Sequence, residues 1–258
     1  MAAFDDITPQ WAWGGSTGKG VRVAVVDSGV DASHPALAGH VKGGVVVRQR
    51  GHGQGQLAGS VSYEPFDGTD GSGHGTACAG IIARLAPGAE IFSVKVLGDA
   101  GHGTEAVFLG GLRWCLEQGF PLVNMSLGTK NLNFFREFHT LLDRAYFQGT
   151  LLVAAASNEG DDSLPSILAP IVSVDYEHFA DPDTILFRPK GAILFVGPGV
   201  MIEAPTPGGG MAHVTGTSFA APHVTGHVAR ILAKHPGLRP FELKTILYRI
   251  ALHKGEGA

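Results

Sequence analysis

The hydrophobic positions fall into two kinds of segment that take turns along the chain. Short, nearly unbroken apolar runs such as Val21-Arg22-Val23-Ala24-Val25-Val26 and Leu151-Leu152-Val153-Ala154-Ala155-Ala156 read as strands buried on both faces. Strands are predicted near residues 22–26, 90–96, 121–126, 151–156 and 171–175. Longer stretches with mixed polar and apolar positions separate them, and helices are predicted near 74–84, 104–118, 132–148 and 217–234. A last helix, from about Pro240 to Ala251, follows the Pro236-Gly237 break and is expected to pack outside. Strands alternating with helices specify an α/β fold, a doubly wound parallel sheet flanked by helices. Gly51 to Gly59 reads as a flexible surface loop.

Composition narrows the picture without changing it. A chain of 258 residues with 44% hydrophobic content can bury a full core, and neither an internal repeat nor a linker divides it, so a single domain over 1–258 is expected. A formal net charge of −4 and the lack of a Lys/Arg run argue against nucleic acid as the main ligand. No apolar stretch reaches the roughly 20 residues needed to cross a bilayer, so no membrane partner is expected. No Gly-x-Gly-x-x-Gly follows the first strand, which weakens a nucleotide-binding reading. The start, Met1-Ala2-Ala3-Phe4-Asp5-Asp6, lacks the features of a secretory signal. The chain as written is therefore expected to be cytoplasmic, or secreted if it is a mature form whose leader has been removed.

Three polar segments interrupt the apolar pattern where strands end or helices begin. Val26-Asp27-Ser28-Gly29 closes the first strand with a carboxylate, at the sheet edge where ligands collect in open α/β folds. Asp70-Gly71-Ser72-Gly73-His74-Gly75-Thr76 is a glycine-rich turn that delivers His74 to a small-residue helix. Gly216-Thr217-Ser218-Phe219-Ala220-Ala221-Pro222 places Ser218 at a helix start, beside unpaired backbone N–H groups and the positive dipole end. Taken singly, each has an ordinary structural reading as turn former, surface histidine or N-cap. Together, in the order Asp, His, Ser, they supply the orienter, base and nucleophile of acyl transfer.

These segments resemble the subtilisin-like (subtilase) serine proteases, from about Gly18 to about Ile250. Val123-Asn124-Met125-Ser126-Leu127-Gly128 is similar to the family's substrate-binding strand and turn. Ala154-Ala155-Ala156-Ser157-Asn158-Glu159-Gly160 is similar to the segment that carries the oxyanion-hole asparagine. The resemblance implies a serine endopeptidase with Asp27, His74 and Ser218 catalytic, and with Asn158 and the Ser218 N–H as oxyanion donors. Only 26 residues precede Asp27, too few for the folding propeptide that many members carry, so the chain is expected either to fold without one or to be a mature form to which an initiator methionine was added.

The resemblance also implies a peptide or protein substrate held in extended form between Gly101-His102-Gly103-Thr104-Glu105 and Ser126-Leu127-Gly128. Glu105 stands where members often place an aromatic, so a basic residue about four positions before the cut is expected to be favoured, unless Glu105 merely decorates a turn. The pocket for the residue before the scissile bond would be walled by Ala154, Ala155, Ala156 and the Ser126–Gly128 turn. Its small walls leave room for a large side chain. Ser157 replaces a usual glycine, and Glu159 either sits at the rim, where it would admit a basic side chain, or is fully solvated. The loop after Gly160 looks short, which leaves the pocket floor unassigned.

No metal or other cofactor is expected. Members often insert a calcium loop in the helix after the histidine, whereas Ile81-Ile82-Ala83-Arg84-Leu85-Ala86-Pro87 runs directly toward the next strand. No regularly spaced carboxylates mark another calcium loop, and His34, His52 and His102 read as polar loop residues. Cys78 lies one helical turn after His74 and so on the same face, an arrangement similar to the proteinase K branch. Cys115 reads as core, and two cysteines in separate helices give no disulfide framework, as in a reducing compartment. Two other functions remain open. Pro165 to Val174 and the run from Gly197 to Phe219 also resemble subtilases that trim or macrocyclise peptides. A non-catalytic peptide-binding module is the third reading, against which the intact triad and Asn158 stand.

Overall fold

The structure, a computed structural model, describes residues 6–50, 61–191 and 193–253. The loop expected at Gly51–Gly59, and His52 with it, lie outside the described residues. The first strand, β1 (Arg22–Asp27), is flanked by β4 (Glu90–Lys95) and β5 (Leu122–Met125), both parallel to it. Beyond β5 come β6 (Leu151–Ala155), β7 (Val172–Glu177) and β9 (Ile193–Pro198), and beyond β4 comes β2 (Val41–Gln49), all parallel. The sheet ends in antiparallel neighbours, β3 (Val61–Pro65) on β2 and β8 (Leu186–Lys190) on β9, with the short β12 (Leu252–His253) beside β8. The ten strands run in the order β12-β8-β9-β7-β6-β5-β1-β4-β2-β3.

Alternation along β1 divides the core into two layers. Val23 and Val25 belong to the layer that holds α2 (His74–Leu85), α5 (Thr217–Lys234) and α6 (Pro240–Ile250), where Cys78, Ile82, Val224, Val228 and Leu247 are buried. Ala24 and Val26 face α3 (Glu105–Glu117) and α4 (Phe135–Gln148), where Leu109, Leu112, Phe138 and Leu142 are buried. Both faces of β1 are dry, which is why its sequence carries no polar alternation. A short α1 (Pro9–Trp13) packs on the first layer through Ala12 and Trp13.

The doubly wound expectation holds for the parallel centre. The prediction missed α1, β2, β3, β8, β9, β12 and the separate hairpin of β10 (Ile202–Thr206) and β11 (Gly210–Val214). These strands lie in the outer parts of the main sheet or outside it, and Pro205, Gly43 and Gly44 interrupt the apolar pattern a strand normally shows. The helix expected from 132 opens as a 3-10 turn, Leu132–Phe134, before α4 begins at Phe135. The helix after His74 is unbroken to Leu85. No helix among the described residues is long and apolar enough to cross a membrane.

Parallel pairing aligns the strand ends that matter. Asp27 pairs in register with Lys95, Val26 with Met125, and Met125 with Ala154. The C-terminal edge therefore presents Asp27, Ser126 and Ala155–Ala156 side by side, at the point where the chain reverses its direction of winding across the sheet.

Candidate active site

Asp27 is fully buried at the end of β1. Its Oδ1 accepts the Ser28 N–H at 2.8 Å and the His74 Nδ1–H at 2.8 Å. His74 is the first residue of α2, and Gly73 before it adopts a left-handed turn with φ of 83°, a conformation glycine takes without strain. Gly75 is equally constrained, because a Cβ there would lie 2.1 Å from the Gly29 carbonyl oxygen. The buried Asp27 carboxylate raises the proton affinity of the imidazole above its ordinary range, against the opposing effect of burial.

Asp70 fastens this turn, a role the sequence reading missed. Its buried carboxylate accepts from the Ser28 hydroxyl (2.8 Å) and the Ser72 and Gly73 N–H groups (3.2 and 2.9 Å) on Oδ1. On Oδ2 it accepts from the Thr76 N–H (2.8 Å) and hydroxyl (2.7 Å). Ser28 Oγ in turn accepts the Gly75 N–H at 3.1 Å. The strand end carrying Asp27 and the helix start carrying His74 are thus held by one hydrogen-bonded cluster.

Ser218 is the second residue of α5, as the glycine-led turn predicted. Gly216 ahead of it is bound through its N–H to the Gly199 carbonyl at 2.8 Å. A Cβ on Gly216 would stand 3.3 Å from Asn158 Oδ1 and 3.6 Å from Ser218 Oγ, so the glycine keeps the space between them open. Asn158 Oδ1 accepts the Thr217 N–H at 2.9 Å and the Thr217 hydroxyl at 3.2 Å. With the oxygen engaged on Thr217, the amide Nδ2 is the group Asn158 has left to offer the site. The Phe219 N–H bonds back to Gly216 O, and the Ser218 N–H lies between these two, at the positive end of the helix.

His74, Ser218 and Asn158 share one cavity of about 320 Å³, also lined by Ser126, Leu127, Gly128, Ala155, Ala156, Ser157, Lys130 and Glu159. Ala154, expected as a wall, instead faces the opposite layer and is fully buried there, as strand alternation requires. The unassigned floor is supplied by Ser163, which also lines the cavity, and a Cβ on Gly128 would meet its Oγ at 2.5 Å. Thr129 and Leu164 close that end by exchanging backbone hydrogen bonds of 2.8 Å. The Ser126 hydroxyl accepts from Asn124 Nδ2, whose own oxygen accepts from Thr225 of α5. Glu159 is at the rim, paired with Lys130 at 2.5 Å.

A second cavity, of about 180 Å³, is lined by Gly101, His102, Gly103, Thr104, Glu105, Phe108, Leu97 and Leu127–Thr129. Glu105 is half-buried and opens α3, and its carboxylate accepts the Thr129 hydroxyl at 2.9 Å. It is therefore more than a decoration of an exposed turn. Gly101, His102 and Gly103 are exposed, and a Cβ on Gly103 would strike the Val96 carbonyl at 2.5 Å.

Among the remaining histidines, His34 departs from its expectation as a polar loop residue. It is buried, its Nδ1 accepts the Ala36 N–H, and its Nε2–H donates to Gly210 O of the β10–β11 hairpin. Cys78 and Cys115 are both buried free thiols. Cys78 Sγ lies 4.0 Å from His74 Nδ1. Asp27, His74 and Cys78 bring one donor atom each within 4.8 Å of one another, a set that a soft metal would bind only by taking the Asp–His proton's place.

Residues 18–177 and 194–257 match the subtilase family, Peptidase_S8. This chain belongs to the subtilase family. It is 33% identical to a subtilisin of Bacillus pumilus over 93% of this chain and 87% of that one. It is 34% identical to subtilisin Savinase of Lederbergia lenta, with the same two coverages, and 33% identical to subtilisin E of Bacillus subtilis, of whose length it spans 63%. Among solved structures, a cold-adapted subtilisin-like serine proteinase superposes with a TM-score of 0.70 at 27% identity, covering 89% of this chain and 81% of that one. Sphericase superposes with a TM-score of 0.73 at 25% identity over 92% and 86%. As a subtilase the chain is a serine-type endopeptidase, and its substrates are peptides or proteins.

Proposed function

We propose that this subtilase cleaves peptide bonds through an acyl-enzyme on Ser218. The observation that carries the reading is the 2.8 Å Asp27–His74 hydrogen bond at the mouth of a cavity that Ser218 and Asn158 also line. A serine hydroxyl is a poor nucleophile near neutral pH and needs a base to take its proton as it attacks. Neutral His74 receives that proton and returns it to the leaving amine. Asp27 holds Nδ1 protonated, which leaves Nε2 as the basic nitrogen, and stabilises the imidazolium once formed. The tetrahedral oxyanion is met by Asn158 Nδ2 and the Ser218 N–H, donors fixed in place before the charge develops.

The substrate lies extended between Gly101–Glu105 and Ser126–Gly128. Its residue before the scissile bond enters the larger cavity, and the residue three places earlier enters the smaller one, beside Glu105. A basic side chain at that earlier position is favoured by the Glu105 carboxylate. Kinetics on peptides differing only there, with Glu105→Gln as control, test this point, and equal preferences in both enzymes would exclude it. No cofactor takes part in this reading. For the chemistry, Asn158→Ala is expected to lower kcat by about 10²–10³ with KM little changed, the size found when such a donor is removed from a related subtilisin. An unchanged kcat would remove Asn158 from the mechanism. Product mass separates hydrolysis from cyclisation, which leaves the peptide one water lighter.

A further inference from the structure

We infer that Lys130 sets the charge preference of the larger cavity by withholding two carboxylates from the substrate. The inference rests on the reading above, in which that cavity takes the residue before the scissile bond. Lys130 follows the Ser126–Gly128 turn and lines the cavity on one side, and Glu159 lines it on the other. The Lys130 ammonium reaches across to Glu159 Oε2 at 2.5 Å and to Asp161 Oδ2 at 2.7 Å. Both carboxylates hold the lysine proton more tightly than usual. The turn that carries Glu159 is itself braced, since the Ser157 hydroxyl accepts the Glu159 N–H and the Ser157 carbonyl accepts the Gly160 N–H.

Two consequences follow from the geometry. First, the clasp joins the two walls at the mouth, while the Thr129–Leu164 backbone bonds join them at the far end. Second, the rim charge is shared out internally. An acidic rim alone would attract lysine or arginine side chains, but here one ammonium pairs with both carboxylates and cuts the charge of the cluster from two negative to one. Deeper in, the cavity presents Ala155, Ala156, Leu127 and the hydroxyls of Ser126, Ser157 and Ser163, none of them charged. The enzyme therefore favours basic side chains at this position less than its two rim carboxylates alone would, and Lys130 is a specificity-determining residue whose removal uncovers a more acidic pocket.

Because all three groups are about half exposed or more, each change is expected to have the size of one exposed ion pair, about fivefold in relative kcat/KM, and to fade as salt rises. The test uses matched peptides with Leu, Lys or Glu before the scissile bond. Lys130→Met is expected to raise the Lys/Leu ratio about fivefold, and Lys130→Arg to keep the wild-type ratio. The double variant Glu159→Gln, Asp161→Asn leaves the lysine unpaired and is expected to raise the Glu/Leu ratio by a similar factor. A purely structural clasp would lower activity on all three peptides alike and move neither ratio. Ser163→Leu, which fills the far end, provides the control for the cavity assignment by lowering the ratio for Phe over Ala. If Ser163→Leu narrows the preference while both charge variants leave their ratios within about twofold, the role of Lys130 is refuted and the cavity assignment stands. If none of the variants changes any ratio, the cavity does not receive this side chain at all.

Discussion

The thiol of Cys78 donates to the backbone carbonyl of Ser218 across 3.3 Å. The reason lies four residues further on, where Pro222 stands inside α5. Proline has no N–H to give the carbonyl four residues before it, so the Ser218 carbonyl would be left without its helical partner. The thiol takes that place from α2, one turn below His74. It couples the helix that carries the base to the helix that carries the nucleophile.

Cys78→Ala is therefore expected to leave a buried carbonyl unpaired, costing about 1–3 kcal/mol of stability, and to lower kcat through displacement of Ser218. Thermal unfolding and steady-state kinetics check both. A mercurial, placed against His74 by the same thiol, is expected to inhibit the wild type partially and Cys78→Ser not at all. Equal inhibition of the two would show that the thiol beneath the imidazole is not the reactive group.

Asp70→Asn tests the cluster that fastens the His74 turn. An amide replaces one acceptor oxygen with a donor, so some of the five donors now directed at Asp70 must lose their partner. Each hydrogen bond to a buried charge is worth about 1.5–3 kcal/mol. The variant is expected to melt several degrees lower and to lose kcat about tenfold or more with little change in KM, since the substrate cavities are untouched. Wild-type kcat in a folded Asp70→Asn would show that His74 does not depend on this carboxylate.

The pH dependence follows from the sign of the shift on His74. Asp27 raises the imidazole's proton affinity, and only the neutral form accepts the serine proton. Activity is absent where His74 is protonated and rises as pH climbs through its raised pKa. The acid limb of kcat/KM is thus expected above the ordinary histidine value of about 6.5. Asp27→Asn removes the charge, and its residual activity is expected to have an acid limb at lower pH. An unmoved limb would mean that another group governs it.

Two other histidines limit stability in acid. His223 and His227 are buried in α5, and desolvation lowers both to about 4. His223 is held neutral by burial and by Arg84, which faces its Nε2 at 3.2 Å, against the opposing hydrogen bond from Nδ1–H to Phe219 O. His227 stacks on Trp13 at 4.4 Å, has no hydrogen bond at either ring nitrogen, lies 3.8 Å from Asp183, and is further disfavoured as a cation by Arg230. With folded values below the unfolded 6.5, their contribution is intact above pH 6.5 and is lost as pH falls toward 4. His227→Phe keeps the stacking and removes the titration, so its melting temperature is expected to fall less steeply between these pH values. Identical slopes would exclude His227 as a source of acid lability.

How much of this was legible in the sequence depended on distance along the chain. Asp27, His74 and Ser218 could be read because each sits in a local pattern, a strand end or a glycine-bounded turn, that betrays its own surroundings, whereas Asn158 was legible only through the resemblance of its segment to the subtilases. The partners that make them work are remote. Cys78 meets Ser218 across 140 residues, Thr225 meets Asn124 across 101, and Ser28 meets Asp70 across 42. Lys130 read as nothing in particular until Glu159 and Asp161 were brought to it by the folding of β6 beside β5. The central strands were legible because burial on both faces makes them continuously apolar. The outer strands and the β10–β11 hairpin were not, because partial exposure, glycine and proline blur the same signal in most of them.

The central claim, that Ser218 is an activated nucleophile, is tested most directly by intact-protein mass after treatment with a fluorophosphonate. One adduct on the wild type and none on Ser218→Ala is the result the structure predicts. A demonstrably folded wild type that takes up no reagent, or a Ser218→Ala variant that takes up as much as the wild type, would contradict it.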